Sequence, residues 1–584
     1  MLKNSFAVCA VAALVAGCLG GGDDAPAAGG TTPPVGLKLS GTAAVGAALA
    51  SAPVDVKCAA GGGTATTNAS GAYELTLQDA TLPCIISVTG TVNSATVVLH
   101  SVAPSGTGAT AVANVTPLTE MIVAQLTGAS PAEIFASFGA GTAISGQQLQ
   151  TATATLLAAL KTATGIDATA IDPFTAALVP VSSANATGNG YDQLLDSLGN
   201  KVTVESLPVV VAQIAAASSA TTAGATPPTT LGDVMAGVDA GTMPNCPSVI
   251  SGKYRTLDYW GRTRIRQIDF KALKFTSPDN VIDFDIAIDP AKPCEFVASG
   301  PVTVDSVDEQ HSVKIVMGPE GAGAYNYTAT NDTATRVTTG YVFPAQAHAY
   351  SSLVGDWTYV QSGYFPFDEG GGGEMENILG RLSLSGARVV TACEYDSLSN
   401  PTCQPDALPL GMTDRADGGF TLTQSGSDVA QMYAFRAPNG TLTVFATTNP
   451  DGARGTDVEQ THFVATRAAK LSLPAVNTVT PFWDAELRRS APGVFATTLG
   501  DAGSNTVTAV DAATSTVTRT RSSDGRIDTV TYNSPIDGTR LRAAGTFNSV
   551  PFRGALQMPL PAGLTVSTDV DSDAHFFVIS VRHP

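Results

Sequence analysis

Charge is scarce in this chain of 584 residues: Asp, Glu, Lys and Arg together make up 14%. What charge there is leans one way, with 50 acidic against 31 basic side chains and a formal net charge of −19. An excess of that sign excludes a nucleic-acid backbone as ligand and a polybasic hold on anionic lipid. Beyond the amino terminus no apolar run reaches the length of a membrane span; Leu207 to Ala217 comes nearest and is interrupted by Pro208 and Gln213. The six histidines (His100, His311, His348, His462, His575 and His583) are scattered, without H-E-x-x-H spacing. There is no C-x-x-C pair, G-x-S-x-G elbow, phosphate-cradling loop or dinucleotide fingerprint. These absences count against an enzyme, so no catalytic residue is assigned and no cofactor is expected.

The amino terminus is the most informative stretch. Lys3 supplies a positive start, Phe6 to Leu14 an apolar segment, and Val15-Ala16-Gly17-Cys18 a run of small residues ending in cysteine. That is a secretory signal, spanning 1–17. The arrangement resembles a bacterial lipoprotein lipobox. The resemblance implies that Cys18 is acylated and becomes the new amino terminus, which makes the membrane a partner through acyl chains. In the lipoproteins that this stretch resembles, a residue such as Leu19 after the cysteine, in place of an acidic one, implies the outer membrane, facing either the periplasm or the outside. Gly20 to Pro34 reads as a polar tether, so 18–35 is lipidated cysteine plus linker.

An exported chain can form disulfides. Cys9 leaves with the signal and Cys18 carries lipid, leaving Cys58, Cys84, Cys246, Cys294, Cys393 and Cys403. They fall as three separated couples, so pairing between neighbours is the economical arrangement among fifteen possibilities. Zinc is the competing use, disfavoured by the missing cysteine and histidine clusters.

A hydrophobic share of 44% is ample for packed cores, and the length suggests about four domains. The fold class expected is multi-domain and mainly β: an N-terminal β-sandwich, an alanine-rich helical domain, then two or three antiparallel sandwich or barrel units. Residues 36–112 show short alternating strands and turns. The segment Thr66-Thr67-Asn68-Ala69-Ser70-Gly71-Ala72-Tyr73 resembles the carboxypeptidase-regulatory-like, or transthyretin-like, β-sandwich, which implies a non-catalytic spacer. From Asn114 the period lengthens toward 3.6, predicting helices through 113–240. Thr116-Pro117 and Ser130-Pro131-Ala132-Glu133 read as helix starts. A third helix is expected over Gln147–Ala163, with shorter ones near Pro173–Leu178, Tyr191–Leu198 and Val209–Ala217.

Beyond Cys246 strands dominate, and the boundaries read as 241–350, 351–475 and 476–584. Gly252-Lys253-Tyr254 and Gly355-Asp356-Trp357 open two related units, slightly like the first strand of lipocalin-type barrels. Arg262, Arg264 and Arg266 face a later strand bearing Asp283, Asp285 and Asp289. Cross-strand ion pairing explains that charge more simply than a patch for an anionic ligand.

Two segments carry candidate sites. Trp357, Tyr359, Tyr364, Phe365 and Phe367 precede Asp368, Glu369, Glu374 and Glu376; aromatic faces beside carboxylates suit sugars or cations, or else form a core strand and a solvated loop. Asp569, Asp571 and Asp573 alternate like a Ca2+ loop but lack its glycine and closing glutamate, so an acidic turn is the simpler reading. The whole points to a lipid-anchored envelope protein that binds a carbohydrate, small molecule or protein, or serves as a structural display. The alternatives are an extracellular polymer hydrolase with its site in the C-terminal β units, or a partner in outer-membrane assembly.

Overall fold

A computed structural model describes residues 36–583, except 184, 223–226, 280, 305, 368–371, 396–401, 406–408, 454, 456, 492–493, 501 and 571–575. The signal, Cys18 and the tether lie outside the described residues. The protein is mainly β, as its sequence predicts, and the C-terminal part consists of three eight-stranded antiparallel barrels.

At the amino end two sheets face each other. Leu37–Thr42 lies between Ala72–Leu77 and Thr110–Val112, and Pro53–Ala60 lies between Gly62–Thr66 and Thr81–Val92, with Ala95–Ala103 at the far edge. The turn between two of these strands is closed by Asn68, whose Oδ1 accepts the Ser70 and Ala72 amides. Cys58 and Cys84 are direct cross-strand partners and form a disulfide.

Six helices follow: α1 (Pro117–Thr127), α2 (Pro131–Ser137), α3 (Gly146–Thr164), α4 (Gly190–Gly199), α5 (Leu207–Thr222) and α6 (Leu231–Ala240). Thr116 caps α1 reciprocally with Thr119, rather than with Glu120. Glu120 instead turns to the sheet, where its carboxylate meets the His100 ring at 3.0 Å. Leu118 to Ala124 of α1 and Val209 to Ala217 of α5 are almost wholly buried, and one continuous core joins the sandwich to the helices. The capping box expected at Ser130 and Glu133 does not form. Glu133 reaches out of the helix to Arg436 of the second barrel, 2.7 Å away, and a buried guanidinium outbids a helix terminus that water can satisfy. Residues 173–176 make a turn, not a helix, because Asp172 accepts the Phe174 amide and the Thr175 hydroxyl.

The first barrel runs Gly252–Asp258, Thr263–Asp269, Lys274–Thr276, Asp283–Ile288, Glu295–Val304, Val307–Met317, Gly323–Thr330 and Thr335–Pro344, closing on its first strand. The second runs Gly355–Pro366, Gly373–Leu384, Val389–Tyr395, Leu410–Asp414, Phe420–Gln424, Ser427–Arg436, Leu442–Thr447 and Gln460–Arg467. Their shared opening motif has a shared contact: Tyr254 donates its hydroxyl to the Ile250 carbonyl at 2.7 Å, and Trp357 donates Nε1–H to the Leu353 carbonyl at 2.8 Å. Cys246 pairs with Cys294 and Cys393 with Cys403. The ion pairing expected between the arginines and aspartates of the first barrel does not form among the described residues, because Lys274–Thr276 intervenes. Lys274 takes Asp283 and Asp285, both at 3.0 Å, while Arg264 donates to the carbonyls of Pro450 and Asp451.

The third barrel runs Val479–Ala491, Gly503–Asp511, Thr516–Arg521, Ile527–Tyr532, Arg540–Arg542, Ala555–Leu560, Leu564–Asp569 and Phe576–Arg582, with Val494–Leu499 added outside the ring. The three barrels meet through outward-facing aromatic side chains. His462 of the second sits between Tyr259 and Tyr341 of the first and Phe577 of the third, with ring centroids 4.9–5.6 Å apart. Burial there holds the His462 ring neutral, with its pKa lowered to about 4.

Candidate binding site in the third barrel

Barrels usually bury apolar side chains inside and present polar ones outside. The last strand of this chain does the reverse. Phe577, Ile579 and Val581 point outward and are buried in the core shared with the other barrels, whereas Val578, Ser580 and Arg582 line the lumen. Val479–Ala491 follows suit, with Trp483, Ala485 and Leu487 outside and Asp484 and Glu486 inside. With these outer faces packed against neighbours, the third barrel has an interior where arginines and carboxylates stand among valine, proline and phenylalanine, and that interior holds a cavity of about 750 Å³. It opens to solvent where Arg488 and Val550, both exposed, line it. By contrast, the interior of the second barrel is filled by Trp357, Tyr359, Phe420, Met432 and Phe463, and that of the first by Phe275, Phe284, Phe296 and Ile315.

The cavity is lined by arginine. Thr516-Val517-Thr518-Arg519-Thr520-Arg521 alternates β-branched and long side chains, which sends Val517, Arg519 and Arg521 to one face. Asp524-Gly525 turns the chain, Gly525 with φ 73°, and brings Asp528 opposite Arg519. Arg540 and Arg542 enter from the short strand beyond.

One carboxylate serves three of these guanidinium groups. Asp528, 2% exposed, lies 2.9 Å from Arg526 and 3.8 Å from both Arg519 and Arg542. Arg521 has its own partner in Asp484 at 2.8 Å, which Ser580 also contacts. Arg540 meets only the Tyr532 hydroxyl and Thr565 Oγ1, each at 3.5 Å, and no carboxylate within 4 Å among the described residues. The Nε–H groups of Arg519, Arg521, Arg540 and Arg542 are buried with no acceptor among the described residues. Burial, then the neighbouring Arg540 charge, lowers the Arg519 pKa to about 10. Phe552, on the hairpin made by Gly545–Phe547 and Val550–Phe552, lies 5.1 Å from the Arg526 guanidinium and 5.3 Å from that of Arg542.

The residues singled out from sequence fall elsewhere. Trp357 and Tyr359 belong to the packed interior of the second barrel, and Arg467 covers the Trp357 ring at 4.2 Å. Phe365, Glu374 and Glu376 share that inner face further along by register, while Tyr364 lies on the opposite face. Phe367 and Glu374 are exposed, and burial followed by the Glu374 charge raises the pKa of Glu376. Asp368 and Glu369 lie outside the described residues, as do Asp571 and Asp573. Asp569 is buried with Arg553 3.5 Å from it. Among the described residues no group of three or more His, Cys, Asp and Glu side chains is arranged to hold a metal ion. The arginine lumen was missed, yet it left a signal: residues 476–584 contain nine arginines and no lysine, in a chain poor in positive charge.

No protein-family model matches the chain, and no curated protein matches it. Among solved structures, a protein of unknown function from the DUF3598 family of Nostoc punctiforme aligns with 40% of this chain and 97% of its own, at 12% identity and a TM-score of 0.15. The vaccine antigen transferrin binding protein B of Haemophilus parasuis aligns with 55% of this chain and 65% of its own, at 11% identity and a TM-score of 0.13. Intact Ap-TbpB, with its N and C lobes, aligns with 55% and 67%, at 11% identity and a TM-score of 0.12. At these values the likenesses assign neither ligand nor partner to this chain.

Proposed function

We propose that this chain is a binding protein of the cell envelope, tethered by an acylated Cys18 to the outer membrane, with the lumen of the third barrel as its ligand compartment. The observation that carries this reading is the arginine-lined cavity of about 750 Å³ in the third barrel, within the range that holds small ligands, beside two barrels whose interiors large apolar side chains fill. The first two barrels are scaffold, and their aromatic outer faces hold the third in place. The N-terminal unit, in keeping with its resemblance to a spacer module, stands between the tether and the barrels. Among the described residues no helix is long and apolar enough to cross a membrane. In this account the acyl chains on Cys18 carry the attachment.

Ligand retention tests the compartment. Protein purified without denaturation from its native envelope should release one small compound at about one per chain on unfolding. A lumen-filling variant, Ser567→Trp, should release none. Equal release from both would overturn the assignment. Radiolabelled palmitate should enter the wild-type protein and be absent from Cys18→Ala; equal labelling of the two would remove the anchor.

A further inference from the structure

The charges inside the third barrel do not balance. Arg488, Arg553 and Arg582 also line the cavity, but each has a carboxylate of its own in Glu486, Asp569 and Glu320. The other five guanidinium groups (Arg519, Arg521, Arg526, Arg540 and Arg542) share the carboxylates of Asp484 and Asp528. Arginine does not shed its proton to relieve burial as lysine does, so about three positive charges persist in a half-enclosed space. Charges taken from water without partners weigh heavily against a fold. A fold that keeps them there gains by admitting counter-charge from outside. The cavity that these arginines line supplies the room for it, and four of their buried Nε–H donors find no acceptor among the described residues.

We infer that the third barrel binds a small molecule carrying two or more oxyanionic groups, carboxylate or phosphate, held chiefly by Arg519, Arg540 and Arg542. This rests on the lumen being the ligand compartment. A singly charged anion would neutralise only part of the excess. Guanidinium groups engage carboxylate and phosphate through paired N–H donors, so a ligand spanning two of them gains both charge and geometry. Phe552, against Arg526 and Arg542, adds an apolar wall beside the charged one.

The experiment is calorimetric titration of the full mature chain at fixed ionic strength with citrate, tripolyphosphate, inorganic phosphate and maltotriose. Citrate or tripolyphosphate should bind one per chain, at least tenfold more tightly than phosphate, and whichever is tighter identifies the carboxylate or the phosphate class. Arg540→Met with Arg542→Met should lose at least tenfold, whereas Arg388→Met, at an exposed ion pair with Asp414 in the second barrel, should not. Ser567→Trp, or Thr565→Trp should the first fail to fold, should abolish binding. Polyanion binding unchanged in the arginine variant, or no polyanion binding at all, would overturn the inference. One-to-one binding of maltotriose abolished by Ser567→Trp would overturn it too, while leaving the compartment standing. Polyanion binding indifferent to lumen filling would remove both.

Discussion

His462 shows how one side chain reports on the packing of three barrels. Its Nδ1 lies 2.9 Å from the Tyr259 carbonyl, and its ring is enclosed by aromatic residues of both neighbours. Burial keeps it neutral with a pKa of about 4, and it holds His348, buried near Arg436, at about 3. In the unfolded chain both would titrate at about 6.5. The folded values are depressed, so the unfolded state takes up protons first as pH falls. Their contribution is complete above about pH 6.5 and is lost progressively toward pH 4 and below, on the order of several kcal/mol for the two together. The thermal midpoint should therefore drop across that window, and His462→Gln should make the drop shallower; an equal slope in both proteins would contradict the assignment. Trp357 makes a second residue-scale test. Trp357→Ala should cost about 3–5 kcal/mol by urea denaturation, and Trp357→Phe roughly 1, for the lost Nε1–H bond.

At the scale of elements, the hairpin from Thr516 to Tyr532 is the part of the fold that the charge account leans on. Asp528→Asn leaves Arg519, Arg526 and Arg542 without their shared carboxylate and should destabilise by roughly 3–5 kcal/mol. Added citrate should restore much of that loss, more than chloride at equal ionic strength does. Destabilisation with no response to citrate would mean that the guanidinium groups find their counter-charge elsewhere. The strands themselves were legible from alternation and β-branched residues, and the helix starts at Thr116 and Ser130 from their Ser/Thr-Pro signals. Other details were not, because they depend on distant partners. Glu133 looks like half of a capping box until Arg436 arrives from some three hundred residues away. Asp283 and Asp285 look like partners for Arg264 and Arg266 until a short strand carrying Lys274 comes between them. The arginine lumen was hidden for a related reason. Alternation tells that Arg519 and Arg521 share a face, and habit puts arginine on the outside. Only the neighbours that bury Phe577, Ile579 and Val581 reveal which face is outside.

The whole molecule is a sandwich with helices sharing one core, followed by three barrels sharing another. The first two barrels supply the apolar surface that buries Phe577, Ile579 and Val581 and leaves Asp484, Ser580 and Arg582 of the third facing inward. That division explains how a chain with net charge −19 can keep a positive interior: the acidic surplus lies outside the cavity, and the arginines are gathered in its last hundred or so residues. A direct test is crystallography with an anion that scatters strongly. Crystals soaked in selenate should show an anomalous peak inside the third barrel within hydrogen-bonding distance of Arg540 or Arg542. Peaks confined to the outer surface, with an empty lumen at the same selenate concentration, would contradict the account.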